Sequence, residues 1–115
     1  MYQFPYAEVL DGAPKAARER ERKALEHSIT LLEAAAEKGP RSREAIEALR
    51  YVRQLWAVLI EDLANPDNDL PQQLRADLIS IGLWVMREAE SIRLERSDSF
   101  VDLIEVSRSI SEGLK

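Results

Sequence analysis

The stretch "LANPDNDLPQQLRADLISIGLWV", residues 63–85, passes from a cluster of acids, amides and prolines directly into one of the most apolar runs of the chain. Its oxygen-bearing side chains could bind calcium, or they could form a corner between two helices. Counted from Asp67 as the first ligand of an EF-hand loop, Gln72 stands where the loop needs glycine and Leu78 where it needs glutamate. The spacing therefore favours a corner, and we predict no metal site.

The corner explains the prolines as well as the acids. Pro66 disfavours helical dihedral angles at the preceding residue, so the helix that arrives here is predicted to end near residue 64. Asp69 can cap the next helix, with Gln72 reaching back to form a capping box. Pro71 in the first turn loses only an N–H that would have no partner there. The residues predicted to shape this corner are Asn65, Pro66, Asn68, Asp69 and Pro71.

Apolar residues recur at helical spacings through most of the chain, and no strand pattern or internal repeat is evident. The periodicity predicts helices at about residues 14–38, 42–64, 70–95 and 99–113, and it leaves open whether residues 94–99 break the chain or continue the third helix. Residues 1–13 are predicted to be an irregular tail. We expect one all-α domain, residues 1–115, folded as a small antiparallel bundle of about four helices with short loops.

The second and third helices carry the broadest apolar surfaces. Trp56 and Trp84 lie inside continuous apolar stripes on these two helices, which predicts that both belong to the core. Ser80 and Gly82 are the small residues in the apolar run "LISIGLWVM", where they would let another helix approach closely.

Composition narrows the class of protein. The chain has no cysteine, which suits a reducing cytoplasm, and it shows neither a signal-peptide pattern nor an apolar run long enough to cross a membrane. Residues 1–57 carry ten Lys/Arg against nine Asp/Glu, whereas residues 58–115 carry six against twelve. The most basic stretch, "PKAARERERK", interleaves five cations with two acids, as a solvated helix face does. We expect a cytoplasmic protein without direct nucleic-acid contact, since phosphate binding favours a continuous basic face.

Catalytic chemistry has little support in the sequence. His27 is the only histidine, and nothing around it resembles a nucleophile elbow or a catalytic triad. A helical mutase that binds a dianionic substrate is the enzymatic alternative, and it would use the arginines beside the apolar faces, Arg50, Arg53, Arg75 and Arg87. Without a phosphate loop, a cofactor motif or a paired acid and base, we predict no enzyme and no cofactor. A helical binding module is the better interpretation.

The same residues carry a family resemblance. "RQLWAVLIEDLANPDNDLPQQLRADLISIGLWVMRE", residues 53–88, resembles the signature region of the FlaF family of flagellar biosynthesis regulators. The opening "MYQFPYAEV" and the closing "LIEVSRSISEGL" are similar to the two ends of that family. The chain departs from the family pattern at Ser107, where an asparagine is common.

The resemblance implies a cytoplasmic, non-enzymatic protein that binds flagellin as an export chaperone or adaptor. It also implies work alongside FlbT, which acts on flagellin mRNA, so a regulator that contacts flagellin mRNA or FlbT is the alternative. Flagellin's terminal segments are amphipathic helices, which a helical binder could cover until export. We expect the contact surface at exposed apolar positions of the second and last helices, namely Tyr51, Leu55, Phe100, Leu103, Ile104 and Ile110.

Overall fold

A computed structural model describes the backbone of residues 13–113 and the side chains of residues 17–113. Within that range the chain forms helices and no strand, which confirms the all-α prediction. The predicted irregular tail lies outside the described residues except for its last residue, Ala13, which already belongs to the first helix. The four helices are α1, Ala13–Lys38; α2, Arg43–Ala64; α3, Gln72–Arg93; and α4, Val101–Gly113.

The link between α1 and α2 is short and chemically specified. Gly39 adopts a positive φ of 103°, which glycine reaches without the steric cost that a side chain would bring. Its N–H donates to the carbonyl of Ala35 at 2.8 Å and so closes the end of α1. Ser42 is the N-cap of α2, and its Oγ accepts a hydrogen bond from the N–H of Ala45 at 3.0 Å.

A true break separates α3 from α4, which answers the question that the sequence left open. Glu95 adopts a φ of 62°, in the left-handed region, and the N–H of Arg96 reaches back to the carbonyl of Ser91 at 2.8 Å. The Oγ of Ser99 then accepts a long hydrogen bond, 3.4 Å, from the N–H of Val101. The third helix thus ends at residue 93 and the fourth begins at residue 101, each within two residues of its predicted bound.

The four helices run alternately up and down, but they do not close into a full ring. α1 packs along both α2 and α4, and α2 packs along α3, whereas α3 and α4 make few contacts with each other. Within the described residues, the bundle is therefore open along the seam between its third and fourth helices. Its core is built by all four helices and includes the fully buried side chains of Leu25, Leu32, Val52, Trp56, Val85, Ile92 and Leu103.

Among the described residues, no helix combines the length and the apolar content that a membrane-spanning helix needs.

Candidate partner-binding groove

The open seam between α3 and α4 forms an apolar groove, called here the α3/α4 groove. Its upper part has a volume of about 560 Å³. A second cavity, of about 350 Å³, continues toward the end of the bundle where α3 begins. The second cavity is lined by side chains of all four helices, and Ile110 lines both cavities, so the two adjoin at this residue. The name α3/α4 groove covers both cavities. The apolar side chains that line it include Leu59, Leu63, Leu70, Leu74, Leu78, Ile81, Trp84, Val106 and Ile110.

One stripe of α3 supplies an entire wall of this groove. Leu74, Leu78, Ile81 and Trp84 follow each other at intervals of four, three and three residues, which places them on one helical face. With a rise of about 1.5 Å per residue, the stripe extends for about 15 Å, or close to three helical turns. Because α4 does not cover this face, Leu74 is 42% exposed. The groove has the length and the apolar character needed to accept a short amphipathic helix.

Gly82 sets the distance between α3 and α2 beneath the groove. A Cβ atom at this position would lie 2.7 Å from Cε3 of Trp56 and 3.0 Å from both Cδ1 and Cγ1 of Ile60. Only a residue without a side chain allows the helices to come this close, as predicted for Gly82, whereas Ser80 is exposed and lines the groove. The close approach lets α3 pack tightly against α2.

The corner between α2 and α3 is held mainly by amide side chains. Asn65 Oδ1 accepts a hydrogen bond from the N–H of Asp67 at 2.8 Å. Asn68 Nδ2 donates to the backbone carbonyl and to Oδ2 of Asp62, at 3.1 and 3.2 Å, while its Oδ1 accepts from the N–H of Leu70 at 3.0 Å. Asn68 therefore joins the end of α2 to the residue just before α3.

The predicted capping box of Asp69 and Gln72 is wrong. Helix α3 begins at Gln72, two residues later than predicted, and its N-cap is Pro71, which makes no side-chain capping bond. The reason is that Asn68 Oδ1 already accepts a hydrogen bond from the N–H of Leu70, which delays the start of the helix. Asp69 lines the end of the α3/α4 groove instead. In the part of the chain that the structure describes, no group of three or more acidic, histidine or cysteine side chains could hold a metal ion.

Arg75 is a corner residue that the sequence did not reveal as one. Its Nη1 donates to the carbonyls of Leu63 and Asn65, at 3.4 and 3.2 Å, and so satisfies groups that the end of α2 leaves without partners. A cation at a helix C-terminus also interacts favourably with the helix dipole. The bonds span ten and twelve residues of sequence, so no local pattern identifies them.

The arginines of the enzymatic alternative do not converge. Arg50, Arg53 and Arg87 are exposed, and Arg75 is occupied by the helix end. The buried arginine cluster that a dianion-binding mutase would require is therefore absent from the residues that the structure describes. His27 is exposed, and its ring makes an edge-to-face contact with Tyr51 at a centroid distance of 4.9 Å.

The basic stretch of α1 is neutralised in part by its own acids. Arg22 forms ion pairs with Glu19 and Glu26, one turn away on either side. The hydrogen bond that Arg22 donates to Glu19, together with the negative charges of Glu19 and Glu26, raises the pKa of the Arg22 guanidinium. Each carboxylate offsets charge that would otherwise be available to phosphate, as expected for a solvated helix face.

The expectation that Phe100 and Leu103 are exposed contact residues is wrong. They are 2% and 1% exposed and belong to the core, because the face of α4 that carries them points into the bundle. The sequence identified the apolar face of α4 correctly but could not show that α1 covers it.

The other predicted contact residues are half-buried. Tyr51, Leu55 and Ile104 do not line the α3/α4 groove, whereas Ile110 lies at its centre and lines both of its cavities. Binding by any of these four residues stays a prediction. The sequence did not identify Ile81 and its neighbours as groove residues. The apolar run of α3 could have indicated them, because it is too broad to be buried by α2 alone.

The two tryptophans occupy different places. Trp56 is 2% exposed at the centre of the core, beneath Gly82. Trp84 packs against the edge of the core and is half-buried in the wall of the groove. Its indole is thus available both to the bundle and to a molecule that enters the groove.

Acidic side chains predominate at the rim of the α3/α4 groove. Glu105 lines its upper part, and Glu21, Asp62 and Asp69 line the end near the corner. Arg18 is the cation among the described lining residues. The rim therefore presents a negative potential around an apolar floor.

A bundle of four antiparallel helices with an apolar, acid-rimmed groove places the chain in the class of small all-helical proteins. The chain belongs to the flagellar protein FlaF family, whose sequence model matches residues 2–114. Membership assigns it a role in flagellar biosynthesis and extends over almost the whole chain. Searches among curated proteins and among solved structures gave no match.

Proposed function

We propose that this protein is a cytoplasmic flagellin-binding chaperone or adaptor that shields an amphipathic helix of flagellin before export. The observation that carries the proposal is the open seam between α3 and α4, since a bundle with one unfilled side can accept a further helix. A bound helix would complete the packing that α4 leaves unfinished. The protein would thereby hold flagellin in a state that cannot polymerise.

The dimensions of the groove support this occupant. The α3 stripe from Leu74 to Trp84 offers close to three turns of apolar wall, which matches anchor residues at i, i+3 or i+4, and i+7 on a partner helix. Val106 and Ile110 provide the facing wall from α4. Covering such side chains contributes about 25 cal/mol for each Å² of apolar surface removed from water.

Flagellin binding would also link export to synthesis. Before export, flagellin would occupy the groove, and after export the groove would be empty. A partner such as FlbT could distinguish the occupied from the empty protein. This regulatory link between export and synthesis depends on flagellin binding.

The binding step is tested by mixing purified protein with flagellin and measuring the complex by size-exclusion chromatography and calorimetry. We expect a 1:1 complex that blocks filament assembly. Leu74→Glu places a charge in the groove, and Leu83→Glu is its matched control, because Leu83 is a similarly exposed leucine of the same helix, 47% against 42%, that does not line the groove.

Leu74→Glu should weaken the complex by at least about tenfold, as expected for a charge introduced among apolar contacts. Leu83→Glu should bind as the parent protein does, and both variants should keep their helicity and melting temperature. Absence of a complex at micromolar concentrations would contradict the proposal. Equal weakening by the two variants would place the contact outside the groove.

A further inference from the structure

We propose that the partner helix of the α3/α4 groove carries basic residues on both sides of its apolar stripe, spaced about ten residues apart. This inference rests on the proposed function for the location of the site and adds the chemistry of its occupant. The reasons are the charge of the rim, the commitment of the neighbouring cations and the distance between the acids.

The rim offers carboxylates that are open to a partner. Glu105 and Asp69 are exposed, and neither forms an ion pair within the described part of the chain. They lie in different parts of the groove, Glu105 beside Ser80 and Trp84, and Asp69 near the start of α3. A partner helix that fills the groove must therefore pass both.

Two nearby cations of the protein are engaged elsewhere. Arg75 donates to the carbonyls at the end of α2, and Arg108 on α4 pairs with Glu33 of α1, on the far side of the seam. Arg18 lines the same cavity as Asp69, and no ion pair joins the two among the described residues. The carboxylates of Asp69 and Glu105 are thus left for a molecule from outside to neutralise.

The separation of the two acids sets the spacing on the partner. From the start of α3 at Gln72 to Ser80 is eight residues, which corresponds to about 12 Å of helix, and Asp69 lies three residues before that start. A partner helix lying along the groove rises by the same amount per residue, so two lysines or arginines about ten residues apart can meet Asp69 and Glu105. A carboxylate at either place would meet a like charge.

Apolar contacts and charges contribute differently to binding in this groove. The leucine and tryptophan wall supplies most of the affinity, while complementary rim charges raise the association rate and reject helices of the wrong charge. The surplus of acids in residues 58–115, twelve against six basic residues, extends the same field beyond the groove.

The inference is tested with two tryptophan-free peptides of about 18 residues, long enough to form a helix. Both carry the same leucine stripe, one with lysines and the other with glutamates at the two flanking positions. The tryptophan fluorescence of the full-length protein reports binding, because one of its two tryptophans, Trp84, is half-buried in the wall of the groove. The lysine peptide should bind at least about tenfold more tightly at low salt. That preference should shrink at about 1 M salt, where the Debye length is about 3 Å.

Glu105→Lys should reduce the preference for the lysine peptide. Glu37→Lys is the matched control, since it makes the same charge change at an exposed residue of α1 that does not line the groove. Equal binding of the two peptides, or equal effects of the two variants, would overturn the inference.

A parallel titration with flagellin separates the two proposals. If flagellin binds and its association rate is the same for both variants, the charge inference fails while the chaperone function stands. If the lysine peptide is preferred but flagellin does not bind, the groove takes a basic helix from another protein, and the chaperone function fails.

Discussion

Gly82 controls how closely α3 approaches α2, and replacing it with alanine tests the packing beneath the groove. The new Cβ would lie 2.7 Å from Cε3 of Trp56, where ordinary van der Waals contact begins at 3.4 Å. Trp56 is 2% exposed and belongs to the core, but it also lines the second cavity of the α3/α4 groove. Either its ring or α3 must therefore shift to relieve the contact.

Two opposing effects determine the sign of the change in stability. Overpacking of this kind costs about 1–3 kcal/mol. Alanine recovers about 1 kcal/mol from its better helix propensity. We expect Gly82→Ala to lower the free energy of unfolding by about 1 kcal/mol, measured by urea denaturation followed by circular dichroism. For a chain of this size the melting temperature should fall by roughly 4 °C.

A double-mutant cycle isolates the contact. Trp56→Phe removes the six-membered ring of the indole that meets the new methyl group, so the alanine substitution should cost less in the Trp56→Phe background than in the parent protein. A Gly82→Ala protein that is more stable than the parent by the full propensity gain would refute the reasoning. So would an alanine substitution whose cost is unchanged by Trp56→Phe.

Three further changes test the corner and the far end of the bundle. Asn68→Asp removes the amide donor and sets a carboxylate against Asp62, so unfolding by urea at pH 7 should show a loss of about 1–3 kcal/mol that shrinks as the new acid is protonated. Arg75→Met removes the donor to the end of α2 and should cost about 1 kcal/mol in the same assay, whereas unchanged stability would contradict the capping role. The hydrogen bond from Arg93 lowers the pKa of Glu90, so Arg93→Ala should raise that pKa in an NMR titration. Because the pKa of Glu90 is lower in the folded state, Glu90 stabilises the protein above its unfolded pKa, and this stabilisation is lost as pH falls through its folded pKa. In Arg93→Ala, the loss of stability on acidification should be smaller.

The ends of the helices could be predicted from residues close to them in the sequence. The prediction failed where two neighbouring side chains could both accept hydrogen bonds from the backbone. Pro66 and Gly39 end their helices near the expected residues, since a proline or a glycine acts within one turn. Asp69 failed as a cap because Asn68, one residue earlier, bonds the backbone first. Both residues are good cap formers, so sequence alone could not rank them.

The groove was harder to predict than the helices for a different reason. Periodicity shows which face of a helix is apolar, but it does not show what covers that face. Phe100 and Leu103 were predicted to form a contact surface, but α1 buries them. Trp84 was predicted to belong to the core, but it lines an open groove. The difference depends on which pairs of helices pack, and that is a property of the whole bundle.

The open seam follows from the way in which α3 is held. Asn68 and Arg75 fix its beginning to the end of α2, and Gly82 lets its middle rest on Trp56. All three contacts bind α3 to α2, and α4, with only 13 residues against 22, is committed to α1. The groove is therefore a consequence of strong pairing on the other sides of the bundle, and it should keep its width with or without a bound helix. A partner would then enter a preformed site and lose less free energy to ordering than it would on a surface that must first open.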